Sequence, residues 1–312
     1  MTPTHTLHAK QSHSGWDRAL APVAQVGSGA VLELEAHDAS GGQFGAGAPA
    51  EVLTTLDFDA VNPTTGPVFI EDAEPGDALC VHIMQLAPSE PWGWTALIPG
   101  FGLLAAEFPD PHLHHWDVPT SGPLRLFDVA TVPLQPFPGT IGLAPAAPGP
   151  HSVIPPRRVG GNLDTRDLTV GSELILPVEV PGALLSIGDT HLAQGDGEVC
   201  GTAVEAPMSV VVRVDLLKGA APAFPTFVTA GPPRGAEVAD GVIATTGVGP
   251  DLWEAARAAV RAMIDRIATL TGLDAATAYL LASVAADLRI SEIVDLPHVV
   301  VTCALPKGVL QS

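Results

Sequence analysis

The segment ELILPVEVPGALLSIGD, residues 173–189, carries most of the fold reading. Its leucines, isoleucines and valines run between Pro177, Pro181, Gly182 and the closing Gly188–Asp189, a pattern of extended apolar chain cut by turn residues. The same grammar recurs in AVLELEAHDA (30–39), ALCVHIMQLAP (78–88) and SVVVRVDLL (209–217), each of strand length. The 32 glycines and 31 prolines are spread along the 312 residues rather than pooled, so they punctuate a folded chain and do not mark a low-complexity tail. Many short strands with frequent turn signals predict a sandwich or barrel-like β body.

One region breaks the strand grammar. PDLWEAARAAVRAMIDRIATLTG (250–272) sets Leu252, Ala256, Ala259, Val260, Met263, Ile267 and Leu270 at spacings of three and four, a helical face with Asp251 as N-cap and Gly272 as stop. LDAATAYLLASVAADLRI (273–290) predicts a second helix capped by Asp274, and SEIVDLPHVVVTCALPK (291–307) returns to strand. The expected class is therefore α+β, mainly β, with a C-terminal helical hairpin. The Pro-rich stretch 134–162 is expected as an ordered crossover, and the chain as a single unit with two packed β subdomains, about 1–150 and 151–312, as the variant.

Charge and cysteine usage bound the partners. Fourteen Lys and Arg against 34 Asp and Glu give a formal charge of -20, which leaves little to neutralise phosphates and argues against nucleic acid and anionic membranes. Three cysteines without CxxC spacing make no disulfide framework, and neither a signal-peptide pattern nor a long apolar span stands out, so a cytoplasmic location is expected.

The chemistry concentrates in GDTHLAQGDGEVCG (188–201). Asp189 and His191 are two apart, which in a strand puts them on one side; Asp196 and Glu198 repeat the spacing among Gly195, Gly197 and Gly201. Imidazole and carboxylate oxygens suit a divalent ion, zinc first and calcium second, and Glu198 is placed to act as general base. Solvated hairpin-turn residues are the plain alternative. GGNLDTRDLTVGS (160–172) offers Asn162 and Asp164, and HDASGGQFG (37–45) offers Asp38 and Gln43, in similar Gly-rich settings. Cys200 is a candidate thiol nucleophile set against a structural role, and His112, His114 and His115 read as a surface loop. No GxSxG, HExxH or Walker pattern is present.

Taken in order, HSGWDRALAPV (13–23), LEAHDASGGQ (34–43), VNPTTGPVFIEDAEPGDAL (61–79), residues 160–205 and ATAYLLASVAADLRISEIVD (276–295) resemble the acetamidase/formamidase family over nearly the whole chain. The resemblance implies hydrolysis of a small aliphatic amide, formamide or acetamide, to carboxylate and ammonia. It also implies a jelly-roll-like β-sandwich body, a homo-oligomer and a divalent metal, zinc or calcium. The motif positions fall on Asp38, Gln43, Asn62, Asn162, Asp164, Asp189, His191, Asp196, Glu198 and Glu205. From these, Glu198, His191, Asp196 and Glu205 are expected to be catalytic. Asn162, Gln43 and Gly195 are expected to bind substrate, with backbone N–H groups near 195–201 stabilising an oxyanion. Asp164, Asp189, His191 and Asp38 are expected to bind metal. Leu192 replaces the small residue of the family segment and is expected to reshape the acyl pocket. A Cys200-dependent amidase and a non-catalytic, metal-stabilised paralogue are the alternatives.

Overall fold

The computed structural model describes residues 2–126, 130–231 and 241–310. Residues 173–189 divide between two sheets. Glu173–Pro177 lies in a nine-stranded sheet and Leu185–His191 in a smaller one, joined by a turn in which Ala183 and Leu184 take positive φ values of 57° and 60°. The large sheet runs His5–Leu7, Val31–Ala36, Met208–Leu217, Ala78–Pro88, Glu173–Pro177, Thr226–Val228, Val242–Gly249, Val299–Pro306, Asp287–Glu292. The smaller sheet runs Gly160–Asn162, Phe137–Gly142, Leu185–His191, Thr64–Ile70, Ser12–His13, with Ala24–Val26 also paired to Thr64–Ile70. Strands from both halves of the chain therefore interleave in both sheets.

One core joins the two sheets. Leu32, Leu34, Val81, Leu174 and Val212 of the large sheet share it with Val68, Ile70, Ile141, Leu185 and Ile187 of the smaller one. Alternation in each strand sends these residues inward, and their removal from water is the main stabilising term.

The helical expectation holds closely for α1, Leu252–Thr271. Asp251 accepts from the Glu254 N–H at 2.8 Å, and Gly272 closes the helix in the left-handed region at φ 75°. Its buried face is Ala255, Ala259, Met263 and Ile267, spaced by four, while Leu252 and Leu270 stay exposed. These residues pack on Val299, Val301, Cys303 and Leu305. The approach is so close that a Cβ on Gly247 would meet Ala255 O at 1.9 Å. Helix α2, Ala275–Ala285, begins at its Asp274 cap but stops earlier than the sequence pattern suggests. Residues 287–292 instead extend and pair antiparallel with Val299–Pro306, so sheet pairing overrides the helical pattern.

Two further differences are local. His112–Asp117 is a strand paired with Trp92–Leu97, not a loop. The Pro-rich crossover contains Phe137–Gly142 and Gly160–Asn162, both ladder strands. No helix among the described residues is long and apolar enough to cross a membrane.

Candidate active site

Strand Leu185–His191 ends in the site. Alternation places Asp189 and His191 on one side, with His191 Nε2 3.3 Å from Asp189 Oδ1. Strand Gly160–Asn162 brings Asn162 beside it. The Thr140 hydroxyl contacts both Asn162 Oδ1 and Asp189 Oδ2, and Asn162 Nδ2 donates to Asp295 Oδ2 at 2.6 Å. Asn62, just before strand Thr64–Ile70, donates to Asp189 Oδ2 at 2.9 Å. Backbone bonds to Trp94 hold Glu205 so that its Oε2 lies 3.1 Å from His191 Nε2. Gly139 makes room for the centre: a Cβ there would meet Asp164 Oδ1 at 2.5 Å and His191 Cε1 at 2.6 Å.

Backbone strain collects at the same place. Asn62, Asp164, Asp189 and Glu198 all adopt left-handed φ, between 41° and 47°. Each such residue costs on the order of 1 kcal/mol unless its surroundings hold it there.

Six acidic side chains, Asp164, Asp189, Glu198, Glu205, Glu292 and Asp295, are buried here with one imidazole. Among the described residues no lysine or arginine pairs with any of the six. Ionised carboxylates packed this way repel one another and have lost their water, so protons or a bound cation must compensate. Burial, then Asp164 and other neighbouring acids, raise Glu198 well above its ordinary value. Burial likewise raises Asp164 to about 6, Glu205 to about 7 and Glu292 to about 8, against the opposing pull of His191 on the first two. Asp295 rises well above the carboxylate range through burial and then Glu292. Burial pulls His191 down, but Glu205 and Asp189 outweigh it and leave the imidazole well above 6.5.

The donor set fits a divalent cation. Asp164, His191 and Glu198, and also Asp189, His191 and Glu205, present donor atoms within 4.8 Å of one another. Both Asp164 carboxylate oxygens are buried without a hydrogen-bond partner, and Glu205 Oε2 faces only the His191 Nε2 edge at 3.1 Å, the condition a cation relieves. Gln194 sets the imidazole's orientation. Its Nε2 donates to Asp164 O at 2.7 Å, which turns Oε1 towards His191 Nδ1 at 2.9 Å. Nδ1 then carries the proton, and Nε2 faces Asp189 and Glu205, where a proton or a metal ion is required.

The cluster forms one end of a cavity of about 40 Å³ of water-accessible space. Trp94, Ile98, Phe101 and Phe58 supply apolar wall, and Asn62, Asn162, Glu198, Glu205 and Asp295 supply the polar end. That is room for roughly three water-sized groups.

Several expected residues stand elsewhere. Gln43 is exposed and bonds the backbone of Asp57. Asp38 is buried but accepts from Trp94 Nε1 at 2.9 Å, which anchors the cavity wall. Gly195 is exposed. Asp196 points away from Glu198 to Arg166, at 2.8 Å, because the turn breaks strand alternation. The N–H groups of Gly197, Glu198 and Gly201 are taken by Ser291 O, Gly195 O and Glu198 O, so they are not free for an oxyanion. Leu192 alternates to the other side of the chain and packs with Trp116, Val204 and Met208 rather than in the acyl cavity. The Cys200 thiol donates to Thr202 O at 3.4 Å. A separate group, Cys80, His82 and Glu173, lies on the large sheet. There Arg213 Nη2 sits 2.9 Å from His82 Nε2, so the chain supplies its own cation. Sequence reasoning missed Gln194, Glu292 and Asp295. The only signal for the last two was a pair of acids three apart in an apolar run, SEIVD.

A profile of the acetamidase/formamidase family matches residues 2–153 and 146–312. An acetamidase of Mycolicibacterium smegmatis is 29% identical over 275 residues, covering 68% of this chain and 67% of the relative. A formamidase of Methylophilus methylotrophus is 31% identical over 264 residues, covering 67% and 64% respectively. The chain thus spans about two thirds of the length of these relatives. Among solved structures, an acetamidase from Bacillus halodurans superposes with a TM-score of 0.88 at 31% identity, covering 97% of this chain and 98% of the other. A γ-lactamase from Delftia acidovorans gives 0.68 at 26% identity, covering 99% and 94%.

Proposed function

Because the chain belongs to the acetamidase/formamidase family, we propose that it hydrolyses a small aliphatic amide to a carboxylate and ammonia at the Asp189–His191–Glu198–Glu205 cluster. The observation that carries this reading is the junction of a buried acid–imidazole cluster with a cavity that holds only a few heavy atoms. Formamide and acetamide match that size. Their carboxamide suits the polar end, and the acyl group suits the wall of Trp94, Ile98 and Phe101.

Each residue has a role in this reading. Asp189, His191 and Glu205 would hold a divalent cation, zinc first by their mixed nitrogen and oxygen donors. When bound, such an ion polarises a carbonyl and makes water more acidic. Glu198 takes the proton of the attacking water and returns it to the amide nitrogen, which leaves only when protonated. Its raised proton affinity suits the second half of that task, and positive charge nearby favours the first. Asn62 and Asn162 keep Asp189 and Asp295 in place, and Gln194 keeps the His191 tautomer.

Ammonia release from a size series tests the proposal: formamide, acetamide, propionamide and benzamide. Turnover of the first two with a steep fall for benzamide is the expected result, and preference for benzamide contradicts it. Cys200→Ala should leave turnover near the wild-type level, since the thiol's hydrogen bonds among the described residues go to Thr202 and not to a base; loss of turnover would favour the thiol route.

A further inference from the structure

Outside the buried acids lies a second layer of charge. Arg166 Nη2 donates to Asp196 Oδ2 at 2.8 Å, Arg289 Nη2 donates to Asp167 Oδ2, and Arg289 Nη1 approaches Asp196 Oδ2 at 3.8 Å. These four residues come from three segments, and each segment also carries an acid of the inner cluster. Arg166 and Asp167 follow Asp164 closely, Asp196 is two residues before Glu198, and Arg289 is three before Glu292. The backbone repeats the tie, with the Gly197 N–H donating to Ser291 O at 2.9 Å.

The arrangement answers a mechanical problem. Asp164, Glu198, Glu292 and Asp295 repel whenever more than one is ionised, and that repulsion pushes their three segments apart. The outer quartet has two positive and two negative charges, so it adds no net charge of its own. Its ion pairs are partly shielded, the arginine side chains being 16% and 19% exposed, Asp167 2% and Asp196 28%, so water screens the Asp167 pair least.

We infer that Arg166, Asp167, Asp196 and Arg289 form a charge-neutral clamp that sets Glu198 against the rest of the cluster, making Asp196 and the two arginines positioning residues. Asp196 thus acts through Glu198 and touches no reacting atom. The kinetic part of the inference rests on the proposed amide hydrolysis; the structural part does not.

Asp196→Asn, Arg289→Gln and Arg289→Lys separate the two. In folded variants, Asp196→Asn and Arg289→Gln should lower kcat by about tenfold to a hundredfold, the range for a small misplacement of a reacting group, with KM changed less than about threefold. Arg289→Lys, which keeps the charge but loses the fork, should fall between Arg289→Gln and wild type. Hydrogen–deuterium exchange of residues 195–201 should accelerate in the first two variants while that of α1 does not. Unchanged exchange at 195–201 overturns the clamp. Faster exchange with unchanged kcat in an active enzyme overturns its positioning role. If wild-type protein turns over none of the amides, the functional reading fails, and exchange alone decides the clamp.

Discussion

The helix α1 and the stretch 188–201 obey local rules to opposite degrees. In α1 the main local signals agree with the fold: Asp251 caps, Gly272 stops in the left-handed region, and apolar residues recur every fourth position on the buried face, though Leu252 and Leu270 stay exposed. In and around 188–201, non-glycine residues take left-handed φ, six acids share one imidazole with no lysine or arginine paired to them among the described residues, and both Asp164 oxygens and one of Glu205 lack a hydrogen-bond partner. A fold tolerates such conflicts where a ligand or a reaction uses them. The contrast locates the site without reference to any motif.

If the proposed metal role holds, chelation breaks the contrast most sharply. Chelation of the purified protein should lower ammonia release by at least about a hundredfold, and zinc should restore it, measured as initial rates at fixed amide concentration. Helix α1 should keep its circular-dichroism signal throughout. Full activity in protein shown to be metal-free would remove the metal from the account.

A smaller effect concerns pH. Glu205 and Glu292, at about 7 and about 8 when folded, lie above their unfolded values, so the native state binds more protons than the unfolded one in between. Their contribution is fully present below pH 4.5 and is lost as pH rises through about 7 to 8. Metal-free protein should therefore show a melting temperature that falls across that window, and added zinc should flatten the slope because the cation replaces the protons. A melting temperature that rises over the same window would contradict the buried-acid picture.

The smallest effect tests the obedient region. Asp251→Ala removes one cap and should cost about 1 kcal/mol, seen as a drop of about 2 °C in melting temperature. Turnover should not change, because α1 contributes nothing to the cavity.

What the sequence made legible follows the same division. The α1 boundaries, the long strands and the shared side of Asp189 and His191 came from period and caps, which are local. The shared side expected for Asp196 and Glu198 failed because a turn with left-handed Glu198 does not keep the strand period. Leu192 was misplaced because the family segment shows which residue differs, not which side it faces. Glu292 and Asp295 showed no more than their spacing, because contacts distant in sequence, the Gly197–Glu292 bridge and the Asn162–Asp295 hydrogen bond, bring their segment to the cluster. Of the ten motif positions and Gly195, seven, Asn62, Asn162, Asp164, Asp189, His191, Glu198 and Glu205, do converge. Gln43, Asp38, Gly195 and Asp196 do not, since chemical resemblance between Gly-rich turns says nothing about where they meet.

The most direct test compares wild-type protein with Glu198→Gln in ammonia release from formamide and acetamide, with melting temperature recorded on the same samples. The variant should lose turnover by at least about a hundredfold while staying folded, since glutamine keeps the shape, removes a repelling acid and cannot move the proton. A folded Glu198→Gln protein that releases ammonia at the wild-type rate would contradict this expectation.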